Sequence, residues 1–308
     1  MRRRKFPVAL NDACLCLSVD DVGLEVFSSE RDFSGLLDFY ASEGVRATFF
    51  VVPQPEGASL AARKQGYAPI LKRALKEGHE LGQHGLEHTR FEIGVPPKMI
   101  LDLPHEGPAR EELAKHRAEI EARLTVKNIR ATLSKGRRLL EDILGVPVEG
   151  FRAPCLSVCD NLFTALEEEG YLYDSSKCLQ PTGWDILNGR PATPPAPINR
   201  ARFDACQAGG RMRTLPLTTE YTWYLNTERY AVCLELAKHD FRACLDAGIP
   251  FVPVCHVSPV QDGLGLDFHR EFLGWARAEA SRRNVRLVST TLAEACRQWP
   301  RWSGKKAE

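Results

Sequence analysis

Residues 13–23 read ACLCLSVDDVG, a short and nearly all-apolar run from Ala13 to Val19 that ends abruptly in two acids, Asp20 and Asp21. A strand covered on both faces of a parallel sheet reads this way, because crossover helices leave it no polar side. The carboxyl end of such a strand is where the active sites of α/β folds collect. A second segment, residues 78–91, GHELGQHGLEHTRF, sets His84 and His88 four positions apart. One carboxylate and two imidazoles suffice to hold a divalent cation while leaving positions open for water and substrate. A metal needs only one of the two aspartates, so the other is free to take a proton. Each signal has a plainer reading when taken alone. An Asp-Asp pair also makes a turn or a helix N-cap, and two histidines at this spacing also pack a turn.

Order adds the context that single motifs lack. Downstream follow GFRAPC at Gly150 to Cys155, YLYDSS at Tyr171 to Ser176 and FVPVCHVSP at Phe251 to Pro259. With these five motifs in this order, the chain resembles the polysaccharide deacetylase family, also called the NodB-homology family or carbohydrate esterase family 4. The resemblance runs from about Cys14 to about Cys296. It implies that Asp21, His84 and His88 bind one divalent metal, zinc foremost, with cobalt, nickel or manganese as alternatives. It further implies that Asp20 is the general base, that Arg152 pairs with and orients Asp20, and that His256 is the general acid. The third motif of the family is usually Arg-Pro-Pro-Tyr, whereas this chain has Arg152-Ala153-Pro154-Cys155. The family directs the backbone N–H of that last position to the oxyanion, which a side-chain change to Cys155 leaves intact. The missing ring alters substrate packing. The family's Asp-x-x-Asp-Trp pattern is not cleanly present, and Trp184-Asp185 is the nearest look-alike, so the partner of His256 stays open.

The implied chemistry is hydrolysis of an amide on a sugar, N-acetyl or N-formyl. A bound metal makes water a better nucleophile and polarises the carbonyl. Asp20 would take the proton from that water and His256 would protonate the departing nitrogen. An arginine beside Asp20 would favour its ionised form. Two other classes use some of the same residues. Two histidines and one carboxylate also form the facial triad of non-haem Fe(II) enzymes, which need no Asp20, Arg152 or His256. A catalytically inactive glycan-binding protein on the same fold would show a broken base or ligand. The remaining histidines, His79, His105, His116, His239 and His269, read as solvated or structural.

Composition fits one large core: 308 residues, 44% hydrophobic. Lys and Arg number 41 against 40 Asp and Glu. That balance argues against nucleic acid as a partner, which calls for a concentrated basic face. The basic clusters are Met1 to Lys5 and the tail with Arg301, Lys305 and Lys306, which a lipid-linked substrate would bring to a membrane surface. No span reaches the roughly 20 apolar residues that cross a bilayer. Ten cysteines, among them Cys14, Cys16, Cys155, Cys233, Cys244, Cys255 and Cys296, lie mostly in apolar or helical contexts without a Cys-x-x-Cys pattern. They read as buried free thiols and predict a cytoplasmic protein.

Strand-like and helix-like segments alternate, which predicts a parallel barrel. The resemblance narrows this to a distorted, incomplete (β/α)7 barrel of the NodB type. Helical spacing predicts helices over Asp32 to Gly44, Ala68 to Gly78, Glu111 to Gly145 and Leu162 to Gly170. ATFFVV, HELGQH, LPLTTEY, FVPVCH and VRLVST read as strands. The whole of residues 1–308 reads as a single catalytic domain, with insertions at about 92–127 and 180–213. The second is rich in Pro, Gly and Arg and reads as a long loop walling the substrate pocket. Arg190, Arg200 and Arg202 are candidates to meet a phosphate or carboxylate on the sugar. The substrate class reads as an intracellular precursor of surface glycan, with nucleotide-linked and lipid-linked sugars both open.

Overall fold

The computed structural model describes residues 12–23, 26–55, 67–190 and 194–298. The basic clusters at Met1 to Lys5 and at Arg301, Lys305 and Lys306 lie outside the described residues. Nine strands are named in chain order: β1 Ala13–Leu15, β2 Leu17–Val22, β3 Ala47–Val51, β4 Glu80–His84, β5 Gly150–Arg152, β6 Tyr173–Asp174, β7 Arg213–Thr214, β8 Val254–His256 and β9 Leu287–Ser289. Seven of them form one sheet in the order β7-β6-β5-β4-β3-β2-β8, and each adjacent pair is parallel. Parallel pairing places every carboxyl end at one rim, so Asp20, His84, Arg152, Asp174 and His256 all arrive there. The sheet curls until its edges meet through irregular chain. Leu217 N–H donates to Lys177 O and Thr218 N–H to Val252 O, at 2.9 and 2.7 Å. This is the distorted (β/α)7 barrel that the sequence leads one to expect.

The apolar run at the start divides where the sequence suggests one strand. β1 pairs with β9 in a separate two-stranded ladder, Ala13 opposite Leu287, while β2 enters the main sheet. The break falls at Cys16, whose N–H donates to Phe251 O while Phe251 N–H donates to Cys14 O, both at 2.9 Å. The chain thus changes neighbours without leaving the core.

Local signals explain the helix ends. Ser29 caps the helix Glu30–Glu43 by accepting from Asp32 N–H at 2.9 Å, and Gly44 ends it at φ 65°, a left-handed conformation glycine adopts without strain. The helix buries Phe33, Leu36, Leu37 and Tyr40 completely. Burial of each such side chain contributes about 1.5–3 kcal/mol. The long helix expected over Glu111 to Gly145 is two helices, Gly107–Arg123 and Val126–Leu144, separated where Thr125 caps the second. These pack on β5 and the helix Asp160–Glu168 as a second apolar cluster that includes Leu113, Ile120, Leu133, Phe151 and Leu166. The segment expected as a long loop at 180–213 holds two short helices, Thr182–Leu187 and Arg200–Ala205, and buries Trp184 and Phe203. Apolar side chains spaced irregularly fold it inward without a periodic signal. Among the described residues no helix is long and apolar enough to cross a membrane.

Candidate functional site

Successive side chains of a strand point to opposite faces, so two adjacent aspartates should not share a site. Here they do, because the register of β2 on β3 shifts between Val19 and Val22 and Asp21 takes a left-handed backbone at φ 58°. Irregularities of this kind re-aim side chains beside active sites. Asp20 is buried and accepts from Arg152 Nη1 at 2.7 Å. Asp21 turns instead toward the histidines: its Oδ1 lies 3.3 Å from His84 Nε2 and 2.9 Å from His88 Nε2.

His84 ends β4, and His88 stands in the following loop at φ 65°, so the pair converges from a strand exit and not from one helix face. His84 Nδ1 sits 2.9 Å from Arg152 O. A carbonyl only accepts, so Nδ1 carries the hydrogen and Nε2 presents its lone pair toward Asp21. Ligand atoms of Asp21, His84 and His88 all lie within 4.8 Å of one another. Burial would raise the Asp21 carboxyl, but His88, His84 and His256 hold it well below the usual carboxylate range. Its buried Oδ1 nevertheless has no aligned hydrogen-bond donor. Three ligand atoms gathered at one point, one of them an orphaned carboxylate oxygen, fit a cation.

Arg152 is completely buried. Besides Asp20 it donates from Nη1 to Ser18 Oγ at 2.9 Å, from Nε to Ser175 O at 2.9 Å and from Nη2 to Ser175 Oγ at 2.7 Å. Its guanidinium covers the Phe50 ring at 4.3 Å. Four bonds and a ring fix both the arginine and the carboxylate it holds. Next door, Ser176 Oγ accepts from Ala153 N–H at 2.8 Å and donates to Asp174 Oδ1 at 2.5 Å. The Tyr-Asp-Ser-Ser segment is therefore a brace for Arg152 and Ala153. Burial pushes the Asp174 carboxyl up to about 6, against the lowering effect of Ser176.

His256 completes the rim on β8, directly opposite Asp20 in the β2–β8 register. Its Nε2 is 3.9 Å from Asp21 Oδ2, and its Nδ1 is 2.8 Å from Glu220 Oε2. Glu220 is wholly buried, and its Oε1 accepts from the N–H groups of Tyr221 and Thr222 and from Thr222 Oγ1. Burial alone would lower the His256 pKa, but Glu220, Asp21 and Asp20 raise it to about 9. The Trp223 ring meets His256 edge-on at 4.3 Å and Trp184 at 6.4 Å.

Several site residues differ from, or are missing in, the sequence reading. Glu220 is the partner of His256 left open there; its signal was an acid at the end of the strand-like LPLTTE, the same signature as Asp20 in β2. Trp184 does approach His256, but Asp185 pairs with Arg190 at 3.1 Å. Cys155 sits at the same rim with a left-handed φ of 51°, and burial, with Glu106 and Asp21, pushes its thiol up to about 12. It is neutral and no nucleophile at ordinary pH. The three arginines each donate to a carbonyl of the chain itself. Arg200 donates to Gly248 O at 2.7 Å, ahead of β8 and away from the rim, and Arg202 donates to Leu179 O at 2.8 Å. Arg190 donates to Met99 O at 3.1 Å and lies 3.5 Å from Asp102, tying the two added segments together.

Comparison with known proteins agrees with this geometry. The sequence profile described as "Polysaccharide deacetylase" matches residues 8–173, more than half of the chain. A chitin deacetylase of Arthroderma benhamiae is 35% identical over 75 residues, a match spanning 24% of this chain and only 19% of that protein. A structure from Mycobacterium smegmatis assigned to the polysaccharide deacetylases superposes with a TM-score of 0.57 at 16% identity, over 94% of this chain and 92% of that one. The chitin deacetylase of the fungal pathogen Colletotrichum lindemuthianum gives 0.53 at 16% identity, over 94% and 90%. The two structures establish a shared fold, and the profile establishes the lineage: this chain belongs to the polysaccharide deacetylase family.

Proposed function

We propose that this protein is a metal-dependent hydrolase that removes an N-acyl group, acetyl or formyl, from an amino sugar. One observation carries the reading: ligand atoms of Asp21, His84 and His88 lie together, with Asp20 held by Arg152 on one side and His256 held by Glu220 on the other. Asp21, His84 and His88 would hold the ion, zinc first by the donor set, with cobalt, nickel or manganese also suited. A bound divalent cation would lower the pKa of water and polarise the acyl carbonyl.

The chain's own groups supply the proton transfers. Asp20, oriented by Arg152, accepts the proton of the attacking water. His256 gives a proton to the departing nitrogen, while Glu220 fixes its tautomer and favours its cationic form. The backbone N–H of Cys155 is our candidate donor to the oxyanion. Trp223 and Trp184 exclude water around His256, which strengthens its pairing with Glu220. A non-haem iron reaction would leave both buried acid–base pairs without a task.

The substrate we favour is an intracellular sugar precursor in surface-glycan assembly. All ten cysteines are unpaired in the structure, which suits a reducing compartment. The test is metal analysis of the purified protein beside release of acetate or formate from N-acylated amino sugars, offered free, nucleotide-linked and as polymer. One bound ion per chain with release from the soluble precursors is expected. Protein that takes up no metal and releases neither acid would refute the proposal, and release from polymer alone would refute the precursor.

A further inference from the structure

The loop that carries His88 is short, left-handed at both ends and held by a residue outside the metal motif. Gly85 sits at φ 62° and His88 at φ 65°. Between them the N–H groups of Leu86 and Glu87 both donate to Glu92 Oε1, at 3.0 and 2.8 Å. The carbonyls are held from other directions, Gly85 O by Gln83 Nε2 at 2.9 Å and Leu86 O by Gln54 N–H at 2.8 Å. Glu92 is therefore what holds the two amides of the turn. Its other oxygen, Oε2, is buried and has no hydrogen-bond partner. A Cβ at position 85 would lie 2.4 Å from Oε2 and 2.5 Å from Pro154 Cγ, so glycine there makes the room into which the carboxylate reaches. A buried carboxylate half unsatisfied is costly to keep, and so calls for a compensating role.

We propose that Glu92 is a positioning residue for the metal centre, which caps the Leu86 and Glu87 amides and so fixes the turn that presents His88. The inference rests on the metal-dependent reading of the site. Partners that orient metal ligands typically change metal affinity by about 10–100-fold when removed. Glu92→Ala leaves both amides unpaired and lets the turn relax, whereas Glu92→Gln keeps a carbonyl oxygen able to accept both.

The experiment is chelator-competition titration of zinc into metal-free wild type, Glu92→Ala, Glu92→Gln and His88→Ala. It is joined by hydrogen exchange of the amides of residues 86 and 87 in the metal-free wild type. Glu92→Ala is expected to bind zinc about 10–100-fold more weakly, Glu92→Gln within a few-fold of wild type, and the two amides to be protected before metal is added. Zinc affinity of Glu92→Ala within about threefold of wild type would overturn the inference, as would equal weakening in Ala and Gln. If Glu92→Ala does not fold, rapid exchange at both amides in the wild type would still overturn it. Wild-type protein that binds zinc no better than His88→Ala is a distinct result, which removes the metal reading itself.

Discussion

Asp21, His84 and His88 gather three ligand atoms at one point and leave a buried carboxylate oxygen without a donor, whereas His256 and Glu220 form a closed pair whose acid accepts four hydrogen bonds. The first arrangement is incomplete by itself, and on the proposed reading a cation would complete it. The second is complete and holds a proton in readiness. Asp20 and Arg152 belong with the second kind, although they sit one residue from the first. A metal-binding constellation and an acid–base pair thus differ in what each leaves unsatisfied.

The largest effect expected from breaking this distinction is at Arg152. Arg152→Met leaves Asp20 buried without its counter-charge, and removal of one partner of a buried pair costs about 3–5 kcal/mol. Urea unfolding should show that loss, and Arg152→Met combined with Asp20→Asn should recover much of it. A loss below 1 kcal/mol would mean the pair is not desolvated as described.

Glu220→Gln tests the opposite side. Metal content should stay at wild-type level while kcat falls by about 10²-fold, the low end of what a general acid contributes. A drop in metal content in Glu220→Gln would show that the two sides are not separable.

His79 sharpens the comparison from the other end of the barrel. Its Nδ1 accepts from Ala47 N–H at 3.0 Å, and burial lowers its pKa to about 4. His79 is thus a buried histidine kept neutral, where His256 is a buried histidine kept charged. Its folded pKa lies below the usual 6.5, so the unfolded chain takes up the proton first. Stability falls as pH drops from 6.5 and levels below about 4. The lowered pKa corresponds to about 2 kcal/mol lost by pH 5. Asp174, raised to about 6, works in the opposite sense over the same window. The comparison is therefore made between wild type and His79→Asn, unfolded in urea at pH 7 and pH 5. Equal pH dependence in the two proteins would contradict a neutral His79.

How much of this was legible in sequence follows the same division. The metal side was readable because strand-like runs carry Asp21 and His84 to the same rim, His88 follows His84 at a short spacing, and the ordered motifs downstream gave them context. The helix ends at Gly44 and Gly145 were readable because capping is local. Glu220 was not, since its meaning depends on β8 lying beside it, 36 residues onward. The break at Cys16 was equally hidden, because apolar residues serve either ladder and only Phe251 and β9 decide between them. The contacts of the arginines of 180–213 were hidden for a related reason: an Arg in a loop is as well used by a carbonyl of its own chain as by a ligand.

The division of labour between the adjacent aspartates is the central claim, and metal content measured together with kcat in Asp20→Asn and Asp21→Asn tests it most directly. Asp20→Asn should retain one ion per chain while kcat falls by about 10²–10⁴-fold, and Asp21→Asn should lose the ion. Metal lost from Asp20→Asn but kept by Asp21→Asn would contradict the account and exchange the two roles.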